Sequence, residues 1–252
     1  MKTFYERVLP SQGVYCISGI DKNKKITNRF AESLDEVINV IEELKTREQN
    51  IFVAPGSFVG HSRRAEGSAF LRSFFIDLDV GPGKEYTDKQ DALDALDYLL
   101  EQADLPEPVR VDSGGGIHAY WIFDRDVPSA EWKPYAEKFK LKVMEHIPID
   151  PVVTADVARI MRCPDTLNYK YGTPVATVVI SDNVSVYDFD EMKDYLGLVT
   201  DPKAILAAVP KGLDEDTLKM LKTDNIESVF QVIAEKSLDD SGCAQIKYML
   251  EN

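Results

Sequence analysis

The chain has 252 residues, 44% of them hydrophobic, with a formal net charge of −14 and a pI near 4.7. That length buries a full core and fits one large domain, or a domain with an appendage. The acidic balance argues against a nonspecific nucleic-acid coat protein but leaves room for an enzyme with a local basic groove, and no window is apolar enough to span a membrane.

Cys16, Cys163 and Cys243 are scattered, and no Cys-x-x-Cys occurs. Neither a disulfide framework nor a zinc ribbon is supported, and a reducing, cytoplasmic compartment is expected. No signal-like apolar core follows the N-terminal Met1–Glu6.

In chain order, Val14–Ser18 reads as an early strand. Ser33-Leu34-Asp35-Glu36 is a capping-box pattern that opens an amphipathic helix to about Arg47. Ile51–Ala54 reads as a second strand ended by Pro55-Gly56, and His61–Gly67 as a polar loop.

Phe74–Val80 then carries two carboxylates in an otherwise apolar run. A strand's side chains repeat every second residue, so Asp77 and Asp79 share one face while Ile76, Leu78 and Val80 face a core. The two acids would lie about 6 to 7 Å apart and repel by roughly 2 to 3 kcal/mol at an effective dielectric near 20. A bound divalent cation removes that cost, and oxygen ligands suit Mg²⁺ and Mn²⁺.

Gly81-Pro82-Gly83 ends this strand, and Thr87-Asp88-Lys89-Gln90 caps a helix to about Ala103. Val109–Val111 and Ile117–Phe123 read as strands around Ser113-Gly114-Gly115-Gly116. The glycines would let backbone amides turn toward an anion, with Ser113 adding a hydroxyl and His118 a phosphate-sensitive donor. The competing reading is an ordinary hairpin with a half-buried histidine.

A helix is expected over about Ala130–Glu145, then an irregular stretch from Asp150-Pro151, with Arg159 and Arg162 on one face of a short helix. Arginine forks suit phosphates, and Lys170 adds a point charge. Asp150 would complete a carboxylate triad, with Asp156 as the alternative third acid. Val175–Ile180 reads as a β-branched strand and Phe189–Leu196 as a helix.

Beyond Val199 arginine disappears. Short helices are expected at Pro202–Val209, Asp214–Leu221, Ile226–Lys236 and from Asp240 onward, the last without a stop signal, as in the front part of a longer protein.

Carboxylates for metal, a glycine turn with Ser and His, and an Arg/Arg/Lys set are the parts of two-metal phosphoryl or nucleotidyl transfer. No Walker A loop is present. In this order the motifs resemble the archaeo-eukaryotic primase superfamily, in particular the primase-polymerase modules of phage and plasmid replication proteins. Its first motif is matched by Asp77 and Asp79. Its second is matched by Ser113 and His118, and its third by Ile149-Asp150 followed by two arginines. Pro164-Asp165-Thr166-Leu167-Asn168-Tyr169-Lys170 then matches a Pro-Gly-Thr-x-Asn-x-Lys-like run, with Asp165 where Gly is usual.

The resemblance is strong over about 73–180. It implies an α/β (α+β) bilobal core over 1–199 with an RRM-like sheet unit, followed by a small all-α region over 200–252. It implies template-directed nucleotidyl transfer on single-stranded DNA in a bacterial or phage-infected cell. Asp77, Asp79 and Asp150 would bind two Mg²⁺ or Mn²⁺ ions. Ser113, His118, Arg159, Arg162 and Lys170 would hold an NTP or dNTP. Arg63 and Arg64 would contact template or phosphate. Gly242–Ile246 resembles a segment that leads toward a helicase region in larger phage primases. Two readings from other classes stay open: an Asp-x-Asp glycosyltransferase, and a non-catalytic DNA-binding replication module.

Overall fold

The structure is a computed structural model that describes residues 1–181 and 186–197. The helical segments expected over 200–252 lie outside the described residues, as do Cys243 and Gly242–Ile246.

The first sheet is built from β1 (Tyr15–Ile20), β2 (Ile26–Ala31) and β3 (Asn50–Val53). It is covered on one face by α2 (Leu34–Lys45), which buries Val37, Ile41 and Leu44 against Tyr15, Ile17, Ile51 and Val53. The capping box forms one residue out of register. The Glu36 N–H donates to Ser33 Oγ at 3.3 Å, while the Glu36 carboxylate accepts from the Glu32 N–H at 2.8 Å. An N-terminal helix, α1 (Lys2–Val8), adds Phe4, Tyr5 and Val8 to the same core.

The second sheet begins with β4 (Phe70–Asp79), followed by α3 (Lys89–Gln102), β5 (Val109–Asp112), β6 (Gly116–Pro128) and α4 (Ser129–Met144). Asp88 caps α3, with its Oδ1 accepting from the N–H groups of Gln90 and Asp91. One face of β4 and β6 carries an aromatic core. Phe74 stacks on Phe139 of α4 at 4.8 Å between ring centroids, and Trp121 meets Phe139 edge-on at 5.0 Å. Trp132 Nε1 donates to the Ser73 carbonyl at 2.9 Å, so its polar atom is satisfied at full burial.

After α4 the chain returns to the first sheet. There β7 (Met161–Arg162) pairs with β3, giving the order β2-β1-β3-β7. This corrects the short helix expected for Arg159 and Arg162. Asp156 Oδ1 accepts from the Ala158 N–H at 2.9 Å and its carbonyl from the Arg159 N–H at 3.1 Å, which makes a turn. Pro164 follows closely and disfavours helix at Cys163. The chain therefore extends along β3 instead of coiling.

The expected strand Val175–Ile180 is divided by Thr177. Its hydroxyl donates to the Cys163 carbonyl at 2.8 Å and accepts from the Thr166 N–H at 2.9 Å. Before it, β8 (Leu167–Asn168) pairs with β9 (Val175–Ala176). After it, β10 (Val178–Ser181) crosses to the second sheet, whose order is β10-β5-β6-β4. A final helix, α5 (Phe189–Leu196), packs Phe189 against Phe123 at 4.8 Å.

All pairings between these strands are antiparallel, so the class is α+β. Strand–helix–strand–strand–helix, closed by β10, is the element order of a split βαβ unit. No helix among the described residues is long and apolar enough to cross a membrane.

Candidate active site

The two acids sit where one sheet face changes character. On β4, Phe75 precedes Asp77 and Asp79 on the face opposite the aromatic core. Phe75 packs near Tyr120, which meets Phe4 edge-on at 5.5 Å. One step along, Asp77 stands opposite His118 of β6, and Asp79 opposite Gly116. The face thus runs from an apolar seam into a polar pair where the two sheets meet.

Asp77 keeps 17% of its side chain exposed, and Asp79 keeps 38%. Burial, and after it the charge of Asp79, pushes the Asp77 carboxyl up to about 7. Asp150 raises it further, whereas Arg159 and Lys84 lower it. Asp156 is not among the charges that chiefly move Asp77; its carboxylate is occupied in the turn described above. Asp150 Oδ1 accepts from the Val152 N–H at 2.9 Å, which holds that acid at the start of its loop.

Lys84 was not singled out in the sequence. It follows Gly81 and Gly83, whose φ values of +126° and +75° reverse the chain, and its Nζ lies 2.6 Å from Asp79 Oδ2. A lysine just past a Gly-Pro-Gly turn after an acidic strand was the available signal.

His118 is 4% exposed. Its Nε2 lies 3.6 Å from Asp77 Oδ1, beyond hydrogen-bonding distance, and its Nδ1 lies 3.4 Å from the Tyr120 hydroxyl. Burial, followed by the charge of Arg162, pushes the imidazole down to about 3, so it is neutral at ordinary pH.

The glycine turn is shaped by close approach. Ser113 Oγ donates to the Gly116 carbonyl at 3.0 Å, and the Gly114 N–H donates to Asp112 Oδ1 at 2.7 Å. The Ser113 N–H also donates to Gly116. These three donors are engaged inside the hairpin. The glycines have a steric reason. A Cβ at Gly116 would meet the Leu78 carbonyl at 2.3 Å, one at Gly115 the Tyr171 hydroxyl at 2.3 Å, and one at Gly114 the Asn168 Cβ at 2.9 Å.

Arg162 reaches the same place from the other sheet. Its Nη1 donates to Asn50 Oδ1 at 2.8 Å, and its guanidinium lies 4.5 Å over the Phe52 ring. Burial pushes it down to about 10, with Tyr171 and Asp77 opposing. No carboxylate lies within ion-pairing distance of it among the described residues. Arg159 acts electrostatically on both Asp77 and His118, and its Nε is buried without a hydrogen-bond partner.

Lys170 is exposed, with its Nζ 5.3 Å over Tyr171. Two asparagines, not assigned from the sequence, tie these parts together. Asn50 Oδ1 also accepts from the Tyr169 N–H at 3.0 Å. Asn168 Nδ2 donates to the Ser113 carbonyl at 3.1 Å, while its Oδ1 accepts from the Lys170 N–H at 3.0 Å. Asp165 adopts φ +59°, supplying the left-handed turn for which glycine is usual. Arg63 donates to the Ala158 carbonyl, whereas Arg64 is exposed.

As placed, no three His, Cys, Asp or Glu side chains among the described residues converge closely enough to hold a metal ion. The chemistry of the donor set nevertheless fits one. Asp77 and Asp79 offer hard oxygen donors on one face, and burial together with the charge of Asp79 disfavours the charged form of Asp77.

No family model matches the sequence, and no curated protein matches it. Among solved structures, the chain is similar to the AEP domain of the cyanophage S-2L primase-polymerase. That match has a TM-score of 0.55 and 16% identity, and covers 73% of this chain and 90% of that one. It is also similar to the primase RepB′, with a TM-score of 0.50 and 13% identity over 96% of this chain and 82% of that one.

Proposed function

We propose that this chain, which has the fold of archaeo-eukaryotic primase catalytic domains, is a template-directed nucleotidyltransferase. It would act as a primase or primase-polymerase on single-stranded DNA in phage or plasmid replication, with 1–199 as the catalytic unit. Asp77, Asp79 and Asp150 hold two Mg²⁺ or Mn²⁺ ions. When bound, these ions supply charge neutralisation and lower the pKa of the attacking 3′-hydroxyl. This chain's own residues position the nucleoside triphosphate. Arg162, Arg159 and Lys170 take its phosphates, neutral His118 donates one hydrogen bond to a phosphate oxygen, and Ser113 braces the hairpin beside them.

The observation that carries this reading is Arg162. A largely buried guanidinium without a carboxylate is unfavourable unless an anion joins it. It comes from one sheet to face acids on the other, which is where a triphosphate bridging metal and arginine would lie. The test is incorporation on primed and unprimed single-stranded templates, comparing NTPs with dNTPs and Mg²⁺ with Mn²⁺. Incorporation that persists in the Asp77→Ala/Asp79→Ala variant overturns the reading.

A further inference from the structure

The net charge is −14, yet Asp21–Phe30 carries Lys22, Lys24, Lys25 and Arg29 against one acid, Asp21. The three lysines are exposed at the turn that joins β1 to β2. Asp21 fixes that turn: its Oδ1 accepts from the Asn23 N–H at 2.8 Å and the Lys25 N–H at 3.0 Å, while Lys24 adopts φ +63°. Neighbouring cations are in ion pairs, Arg29 and Arg47 sharing Glu43 and Lys45 meeting Glu42. Among the described residues, none of the three hairpin lysines is in an ion pair. An ordered turn thus presents a local positive charge that no nearby acid of the described fold cancels.

The sheet register connects this turn to the active site. Ile20, the last residue of β1, is opposite Asn50, the first of β3, whose Oδ1 accepts from Arg162 and Tyr169. The hairpin lies off the same end of the sheet as Asn50, two to three strand spacings of about 4.8 Å each from the strand that carries Arg162. A row of directly opposed residues, Asn28–Ser18–Phe52–Arg162, runs across all four strands of that sheet. Exposed Asn28 stands at its outer end and Arg162 at its inner end.

We propose that the β1–β2 hairpin is a docking arm for the phosphate backbone of the single-stranded DNA template, which it guides toward the Arg162 end of the site. The occupant rests on the nucleotidyltransferase reading. The arm itself rests on charge and register. Flexible lysines match a mobile polyanion, whereas a compact carboxylate or phosphate ligand favours arginine forks.

The test is binding of a fluorescently labelled single-stranded oligonucleotide to the full chain across a salt series. The variant is Lys22→Gln/Lys24→Asn/Lys25→Gln, with Asn chosen because it accepts the left-handed backbone. Binding should weaken about tenfold or more at low salt. The slope of log affinity against log salt should fall by about 0.7 per lysine removed. The KM for template should rise while the KM for nucleotide and the thermal midpoint stay unchanged. Unchanged DNA affinity and slope overturn the arm, as does a loss confined to phosphatidylserine vesicles with DNA binding intact. Hairpin-dependent DNA binding in a chain that incorporates no nucleotide keeps the arm and removes the catalytic reading.

Discussion

Asp77 and His118 stand directly opposite one another on adjacent antiparallel strands, with the histidine Nε2 3.6 Å from the carboxylate Oδ1. Burial drives both toward their neutral forms, the acid upward and the imidazole downward. A cation bound to Asp77 would restore its charge and leave the neutral histidine as a donor beside it.

That opposition gives a pH signature in the metal-free protein. Asp77 sits at about 7, above its ordinary 3.8, so its contribution to stability is present at low pH and lost as pH rises through 7. His118 sits at about 3, below its ordinary 6.5, so its contribution is lost as pH falls below 6.5. The two oppose each other from mild acid to beyond neutrality, so the part due to the acid is read against a variant that lacks it. Between pH 6.5 and 8, metal-free wild type should lose about 1 kcal/mol relative to the Asp77→Asn variant, and Mn²⁺ should remove that difference. Urea unfolding of both proteins at the two pH values measures this, and parallel profiles would refute it.

Removing both strand acids should abolish chemistry and spare the fold. Asp77→Ala/Asp79→Ala is expected to lower incorporation by about a thousandfold or more, with an unchanged far-ultraviolet circular dichroism spectrum.

Arg162 should act mainly on nucleotide affinity. Arg162→Lys keeps a charge but loses the fork and the contact over Phe52. The KM for nucleotide should rise between about tenfold and a hundredfold, with a smaller change in kcat. Asn50→Ala should move KM in the same direction by less, because Asn50 holds the guanidinium and the Tyr169 N–H in place without supplying a charge. Steady-state kinetics with saturating template separate the two.

The hairpin glycines should differ in tolerance. At Gly116 an added Cβ meets backbone, the Leu78 carbonyl, and nothing there can yield. Gly116→Ala should cost about 2 to 4 kcal/mol. At Gly115 the obstacle is the Tyr171 side chain, which is 48% exposed. Gly115→Ala should be milder and should be rescued by Tyr171→Ala, a rescue that Gly116→Ala should not show. Denaturant unfolding of the four variants decides it.

What was legible in the sequence was local. The alternation around Asp77 and Asp79, the Ser33 and Asp88 caps and the glycine hairpin all depend on near neighbours. The β2 strand was not legible, because only its last residue, Ala31, is buried and no apolar alternation marks it. The Arg159/Arg162 spacing fitted a helix, but an Asp156 turn and Pro164 left that stretch to pair with β3, a contact of long sequence separation. Asn50 and Asn168 owe their roles to such distant contacts as well, whereas Lys84 meets Asp79 across the short Gly-Pro-Gly turn.

The return of β7 to the first sheet, followed by the passage of β10 to the second, interleaves the two halves along the chain. No single cut yields two self-sufficient pieces. A fragment ending before β7 strips the first sheet of an edge strand and of Arg162 together, while one starting after β3 carries that edge strand with no sheet to join. Arg162 and the strand acids are therefore carried by one interleaved unit. Recombination between relatives would succeed only by exchanging the whole of it.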